Sequence, residues 1–387
     1  MKPCTMTPFI PFSLIVALAL LFPSLTRGQQ GNSQHHGKLI EFNAPLATKT
    51  VSPYCGFSCG TIPLANNDKG DVVGYYTDAK VVPHSFLRTH DGEFLSFDAP
   101  HAGLGENLDQ GTVAYSINDN GIIAGQYQDS SNLFHGFIRE PDGKFTEFEV
   151  SAAGTGQYQG TVAYSINPEG TVAGVYFDSM GTQHGFVRSR YGNISTFDPN
   201  GSVYTMVCEE TCINAYGAVT GYFIDSNLTY HGFLREPSGK ITILDAPGAG
   251  TGSYFGTYAA SIILDGTIAG YLVDGFNIAH GFLRTCNGEF ITFELTQASN
   301  APGAGTAPFS LNFFGAVAGA YYDSSFAAHG FVRLHNGEVA TFNAPHAGTV
   351  AGQGTRPSTN NTSDQVTGWW IDETGLNHGF VWCPVDN

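Results

Sequence analysis

Residues 160–200 read GTVAYSINPEGTVAGVYFDSMGTQHGFVRSRYGNISTFDPN. Residues 161–166 are a short run rich in β-branched and aromatic side chains. The tetrapeptide at 167–170, NPEG, turns the chain, with Asn167 as an Asx-type initiator and Gly170 supplying positive φ. Residues 171–177 form a second such run, 178–183 a connection and 184–190 a third run, in which His184, Phe186 and Arg188 share one face. YGN at 191–193 turns again, and ISTF at 194–197 is a fourth run. The stretch predicts four short antiparallel strands.

The same pattern recurs along the chain. A His followed by Gly-Phe or Ser-Phe stands at His84, His135, His184, His231, His280, His329 and His378, at intervals of 47 to 51 residues. Six residues before each lies Asp78, Asp129, Asp178, Asp225, Asp274, Asp323 or Asp372, and four before each Asp lies a Gly. A four-strand unit repeating about every 49 residues is the signature of a β-propeller blade. A β-helix coil is shorter and contains no four-strand meander. The fold expected is therefore an all-β, seven-bladed β-propeller with four antiparallel strands per blade.

The repeat, IN-x-x-G-x-[VI]-x-G followed by D-x5-H-G-F-x-R, resembles the HAF-type extracellular repeat family, with Gly or Ser in place of the family's Ala. The resemblance covers residues 37–382 and implies an exported, propeller-like protein. It implies no particular activity.

The seventh copy stops after three strands, at HGFVW. Its missing fourth strand, of the form G-x-x-x-x-F-x-x-P, occurs ahead of the first complete copy as GKLIEFNAP at 37–45. The N-terminal strand is expected to complete the last blade and close the ring, which also removes an exposed sheet edge. Upstream, Lys2 precedes the apolar run PFIPFSLIVALALLF, and TRG ends at Gly28. This layout predicts a secretory signal over 1–28, with an uncleaved anchor as the alternative, and a flexible segment over 29–36. The mature chain, 37–387 being its propeller, is expected to be secreted, extracellular or periplasmic, monomeric, and without a membrane span.

Formal net charge is −17, and only 13% of residues are charged against a usual quarter or so. An acidic surface repels phosphate backbones and argues against nucleic acid as a partner. Gly (49), Phe (29) and Tyr (18) suit strands and tight turns better than helices.

A catalytic or metal site is needed once, whereas the Asp/His pair occurs in every copy. The pairs are read as structural, each fixing a hairpin and satisfying polar groups withdrawn from water. The Asx-Gly turns lack the carboxylates of a calcium loop, so no metal is expected, nor any cofactor. The sequence shows no G-x-S-x-G, H-E-x-x-H or C-x-x-C.

Function is expected where the copies differ. Counting back from the turn glycine puts Cys208 and Glu209 where other copies carry Thr and an apolar residue, with Glu210 following and Arg356 in the seventh copy. In a propeller the first strand lines the channel, which makes Glu209, Glu210 and Arg356 candidate polar residues there. The alternative is a channel ion pair. The Gly-rich connections between copies should gather at one rim and supply Tyr54, Tyr158, Tyr204, Tyr254, Gln157, Gln159, Glu106, Asp109, His101 and His346. Aromatic rings beside amides and carboxylates suit sugar recognition. Cys55 and Cys59 are positioned for a local disulfide. Cys208 and Cys212, on a regular strand, would stand roughly 13 Å apart, beyond disulfide reach.

The expected function is binding or scaffolding: recognition of a glycan, cell-surface component or protein at the channel rim. The alternative is a carbohydrate-active enzyme, a polysaccharide lyase or glycoside hydrolase, with its site at the channel mouth.

Overall fold

The computed structural model describes residues 37–54, 59–108, 110–208 and 211–385. The predicted signal, 1–28, and the segment 29–36 lie outside them. Every regular element among the described residues is a β-strand.

Copy three folds as Gly160–Ile166, Val172–Phe177, Gln183–Arg188 and Ile194–Phe197, paired antiparallel in that order. The first strand is wholly buried and the fourth faces solvent. The other complete copies repeat this meander. The fourth strand of the last is supplied from the start of the chain. Gly37–Phe42 pairs antiparallel with Asn377–Pro384, with Gly37 opposite Pro384 and Phe42 opposite Gly379.

The His-Gly-Phe motif builds the core. Phe86, Phe137, Phe186, Phe233, Phe282, Phe331 and Phe380 are each fully buried. Full burial of such a ring contributes roughly 1.5–3 kcal/mol. The glycine four residues before each Asp makes room for the ring: a Cβ on Gly174 would lie 2.1 Å from the Val162 carbonyl oxygen and 2.9 Å from Phe186. Neighbouring copies pack face to face, as Ala124 and Ile138 of copy two do on Ala163, Val172 and Phe186 of copy three.

The arginine four residues after each His bridges copies. Arg88, Arg139, Arg188, Arg235 and Arg333 lie 4.6–5.1 Å over Phe42, Phe97, Phe148, Phe197 and Phe293 of the preceding copy. Copy seven has Trp382 at this place, stacked on Phe342 at 5.0 Å and 14°.

A belt of asparagines joins the copies at their first turns. Each side chain accepts from its own turn and donates to the next copy: Asn67 to Asn118 O (3.3 Å), Asn118 to Asn167 O (3.1 Å) and Asn167 to Asn214 O (2.9 Å). Asn214 donates to Ile263 O (3.1 Å), Asn312 to Asn361 O (2.8 Å), and Asn361 back to Asn67 O (3.0 Å). Copy five carries Ile263 and has no amide to pass on. Serine and threonine hydroxyls on the first strands run a parallel course. Thr359 Oγ1, in copy seven, accepts from Asn66 N (3.0 Å) of copy one.

Candidate functional site

Each repeated histidine is held from two sides. Nε2 faces the Asp six residues earlier, at 3.6 Å for His84, 3.4 Å for His184 and 3.0 Å for His329. That Asp uses its other oxygen to accept two backbone N–H groups: Asp178 Oδ1 takes those of Met180 and Thr182. The shorter contact is to a residue 14 positions later, or for His378 to one supplied by the start of the chain, which sequence reasoning missed. Nδ1 meets Asp98 at 2.9 Å, Glu149 at 2.5 Å, Asp198 and Asp245 at 2.7 Å, and Glu294 at 2.6 Å. At His329 and His378 it meets Asn343 and Asn43. Most of these rings also stack on an aromatic of the second strand, as His135 does on Tyr127 at 4.6 Å. The signal lay in the residue that follows each fourth strand, after Phe in six copies and after Leu244 in copy four, which is always Asp, Glu or Asn.

Burial alone would lower the His135 pKa, but Glu149 and Asp129 outweigh it and the value is raised. At His84 the Asp98 hydrogen bond is the largest influence, and the value is likewise raised.

Copies four and five carry a cluster of tyrosines. Tyr222 on Val219–Ile224 and Tyr230 on Tyr230–Arg235 meet Tyr258 on Gly256–Ile262, with centroids 5.2 and 4.5 Å away. Tyr258 stacks on Tyr271 at 4.6 Å and 9°, because the two are register partners. Tyr254, on the preceding connection, is 61% exposed and lies 6.5 Å from Tyr230. Its backbone is fixed at φ 67°, and its N–H donates to Leu228 O at 2.8 Å. Burial and the surrounding phenols raise the pKa values of Tyr258 and Tyr271, so both hydroxyls stay protonated. The cluster offers aromatic faces and neutral hydroxyls together, a surface suited to groups that are apolar on one side and polar on the other.

A second feature is an open cleft of about 610 Å³ on copy two, lined by His101, Tyr127, Asp129, His135, Glu147 and Glu149 among others. His101 Nδ1 lies 2.8 Å from Glu147 Oε2, and the Tyr127 hydroxyl donates to the same oxygen at 3.1 Å. His346 meets Glu41 in the same way at 3.1 Å. These two histidines therefore sit against fourth strands rather than beside the tyrosine cluster.

The register on copy four differs from the sequence reading. Thr205, not Cys208, occupies the place of Thr161: it pairs with Phe223 as Thr161 pairs with Tyr176. Met206, not Glu209, stands in the apolar position. The strand carries three extra residues between Val207 and Cys212, which displaced the count from the turn glycine. Cys208 and Cys212 close this insertion as a disulfide, with Cα atoms 5.4 Å apart. The separation expected of a regular strand does not apply, because the strand is not regular there. Glu209, Glu210 and Asp109 lie outside the described residues. Thr211 Oγ1 bonds Ser261 Oγ at 2.8 Å, which sets the insertion beside the strand that carries Tyr258.

Arg356 keeps its expected register, opposite Trp369, and its Nε is buried without a hydrogen-bond partner. Tyr54, Tyr158, Gln157 and Glu106 are exposed on connections, and Tyr204 is half-buried. Gln159 is occupied by neighbouring backbone: it accepts from Gly156 N and donates to Ser179 O of the next turn. Cys59 is disulfide-bonded, and Cys55 of the expected pair lies outside the described residues. Among the described residues no group of three or more His, Cys, Asp or Glu is arranged to hold a metal ion. No helix among them is long and apolar enough to cross a membrane.

No protein-family model matches this chain, and no curated protein matches it. Solved structures do. It is similar to the BP39L lectin from Burkholderia pseudomallei, at 8% identity and TM-score 0.53, over 82% of this chain and 95% of that one. It is also similar to AofleA from Arthrobotrys oligospora, at 10% identity and TM-score 0.44, over 82% and 92%. A third is the Aleuria aurantia lectin, described as a six-bladed β-propeller that recognises fucose, at 11% identity and TM-score 0.38, over 72% and 92%. The first of these bears on the fold: the chain is an all-β protein of repeated four-stranded units, similar in fold to that lectin.

Proposed function

We propose that this is an exported, non-catalytic carbohydrate-binding propeller of HAF-type repeats, with seven blades closed into a ring by the N-terminal strand. The closure is supported by the Gly37–Phe42 ladder and by the bonds that Asn361 and Thr359 make to copy one. The glycan lies at the rim where the connections gather, over the tyrosine cluster of copies four and five. The observation that carries this reading is the set of partly buried rings Tyr222, Tyr230, Tyr258 and Tyr271, with the exposed Tyr254 at its edge. Such rings stack on the apolar face of a sugar while their hydroxyls and the nearby loop amides take its polar groups. Glu209, Glu210 and Arg356 remain candidate polar residues of the channel. The likeness to a lectin agrees with the class of ligand.

The test is a glycan array with the mature protein, followed by product analysis on any glycan retained. Binding without turnover is expected, and Tyr254→Ala should weaken it roughly tenfold or more with the melting temperature unchanged. An empty array would overturn the reading, as would binding that Tyr254→Ala and Tyr258→Ala both leave intact. Cleaved product would establish the lyase or hydrolase alternative instead.

A further inference from the structure

Copies six and seven rebuild the tyrosine cluster of copies four and five from other residues. Gly354 opens the first strand of copy seven beside Ala328, as Gly256 opens that of copy five beside Tyr230. Two residues on, Arg356 takes the place of Tyr258, and its register partner Trp369 that of Tyr271. Ala320 and Ala328 of copy six stand where copy four has Tyr222 and Tyr230. Gly352, at φ +83° with nothing within 4 Å of its Cβ position, stands where Tyr254 does. Three of the phenols are thus replaced by two methyl groups and a hydrogen.

The Tyr258 hydroxyl donates to Tyr254 O at 3.3 Å, so a side chain at this position reaches up to the connection. In copy seven that side chain is a cation. Arg356 makes no hydrogen bond or ion pair with any described residue, and among these it has no partner for the channel ion pair expected as an alternative. Its Nε is buried, but the two terminal nitrogens are not, and they reach solvent. Trp369 is likewise only partly buried, and its indole N–H keeps accessible surface, unlike that of Trp370. Register partners on one face of an antiparallel pair stand about 4.5–5.5 Å apart at Cβ, so the guanidinium and the indole are offered side by side.

A charge drawn partly out of water calls for a counter-charge. A guanidinium takes a carboxylate through two parallel N–H···O bonds, roughly twice as strong as neutral ones. An indole face takes the apolar side of a sugar ring. The chain carries 33 Asp and Glu against 16 Lys and Arg, which repels extended polyanions and leaves a single anionic group as the fit.

We infer that Arg356 and Trp369 form a second ligand subsite, separate from the tyrosine rim, in which the guanidinium takes the carboxylate of an acidic sugar and the indole takes its ring. That the ligand is a saccharide rests on the proposed function; that it is anionic rests on Arg356.

The test uses the full chain labelled with ¹⁵N at tryptophan, the indole signal of Trp369 being assigned by Trp369→Phe. Methyl glucuronide and methyl galacturonide are titrated in beside methyl glucoside and methyl galactoside, with sodium acetate and sodium sulfate as anions that have no sugar ring. At least one uronide should move the Trp369 signal and bind roughly tenfold or more tightly than its neutral counterpart and than either free anion. Arg356→Met keeps the apolar stem and removes the unpaired charge. It should weaken that uronide roughly tenfold or more while the melting temperature holds or rises, and Arg356→Gln should weaken it too. The inference is overturned if neither uronide moves the signal, or if the neutral glycosides bind as well. It is equally overturned if acetate or sulfate binds as well, which would make this an anion site only, or if either Arg356 variant, still folded, binds like the parent. The two sites are separable: Tyr254→Ala should weaken retention of neutral glycans on the array and leave the Trp369 response to the uronide in place, and Arg356→Met should do the reverse.

Discussion

The side chain of Asn361 donates to the backbone oxygen of Asn67 at 3.0 Å, joining the last copy to the first. The same side chain caps its own turn by accepting from Ser363 N and Gln365 N. It also donates to Gln365 Oε1 at 3.1 Å. Asn361→Ala removes all four bonds and should cost about 1–3 kcal/mol. The belt is interrupted at Ile263, so Ile263→Asn should raise stability by about 0.5–1.5 kcal/mol. Denaturant midpoints of the two variants check both signs.

The N-terminal strand should be indispensable. Deleting the chain through Pro45 exposes the edge of Asn377–Pro384 and uncovers Trp382, which is 3% exposed. The shortened protein should lose its cooperative melt. A transition as sharp and as hot as the parent's would sink the closed ring.

Stability should be greatest at mildly acidic pH. The raised values of His84 and His135 contribute stabilisation that is complete below the unfolded histidine value and is lost as pH rises through the folded ones. The Asp129 pKa runs the other way. Burial would raise it, but the N–H groups of Leu133 and Ser131 and the His135 ring together lower it. Its contribution is present above the unfolded carboxylate value and is lost as pH falls through the folded one. The maximum should fall between roughly pH 4 and 6.5. Melting temperatures measured across that window and up to about pH 9 should decline on the alkaline side, and His84→Gln with His135→Gln should flatten the decline.

Close approach between copies forbids a side chain at Gly160. Its φ is +113°, and a Cβ would lie 2.0 Å from the Phe134 carbonyl oxygen. Gly160→Ala should cost at least about 3 kcal/mol. Gly181, at φ +79° with nothing near its Cβ position, is the control: Gly181→Ala should cost only about 1–2 kcal/mol. Equal losses would deny the contact its importance.

Much of this architecture was legible because a repeated sequence tests its own reading. The strands of 160–200, the turn-capping Asp residues and the completion of copy seven by 37–45 all follow from short-range rules of turn chemistry and strand alternation. What escaped were contacts that spacing does not encode. The second partner of each His sits on another strand, so the nearest Asp in sequence drew attention first. Copy four was misread because three added residues shift every position counted from Gly217. His101 and His346 were assigned to the rim with the other connection residues, although each turns back onto a fourth strand. The tyrosine cluster forms between copies, from residues far apart in the chain, of which only Tyr254 was singled out.

The pairing of Gly37 with Pro384 has a mechanical meaning. The outermost rung of that ladder joins the start of the first strand to the end of the last, side by side. A force pulling those ends apart would load one rung at a time and peel Gly37–Phe42 away as a zip fastener opens. The molecule would then yield softly when stretched from its ends, however well it resists heat.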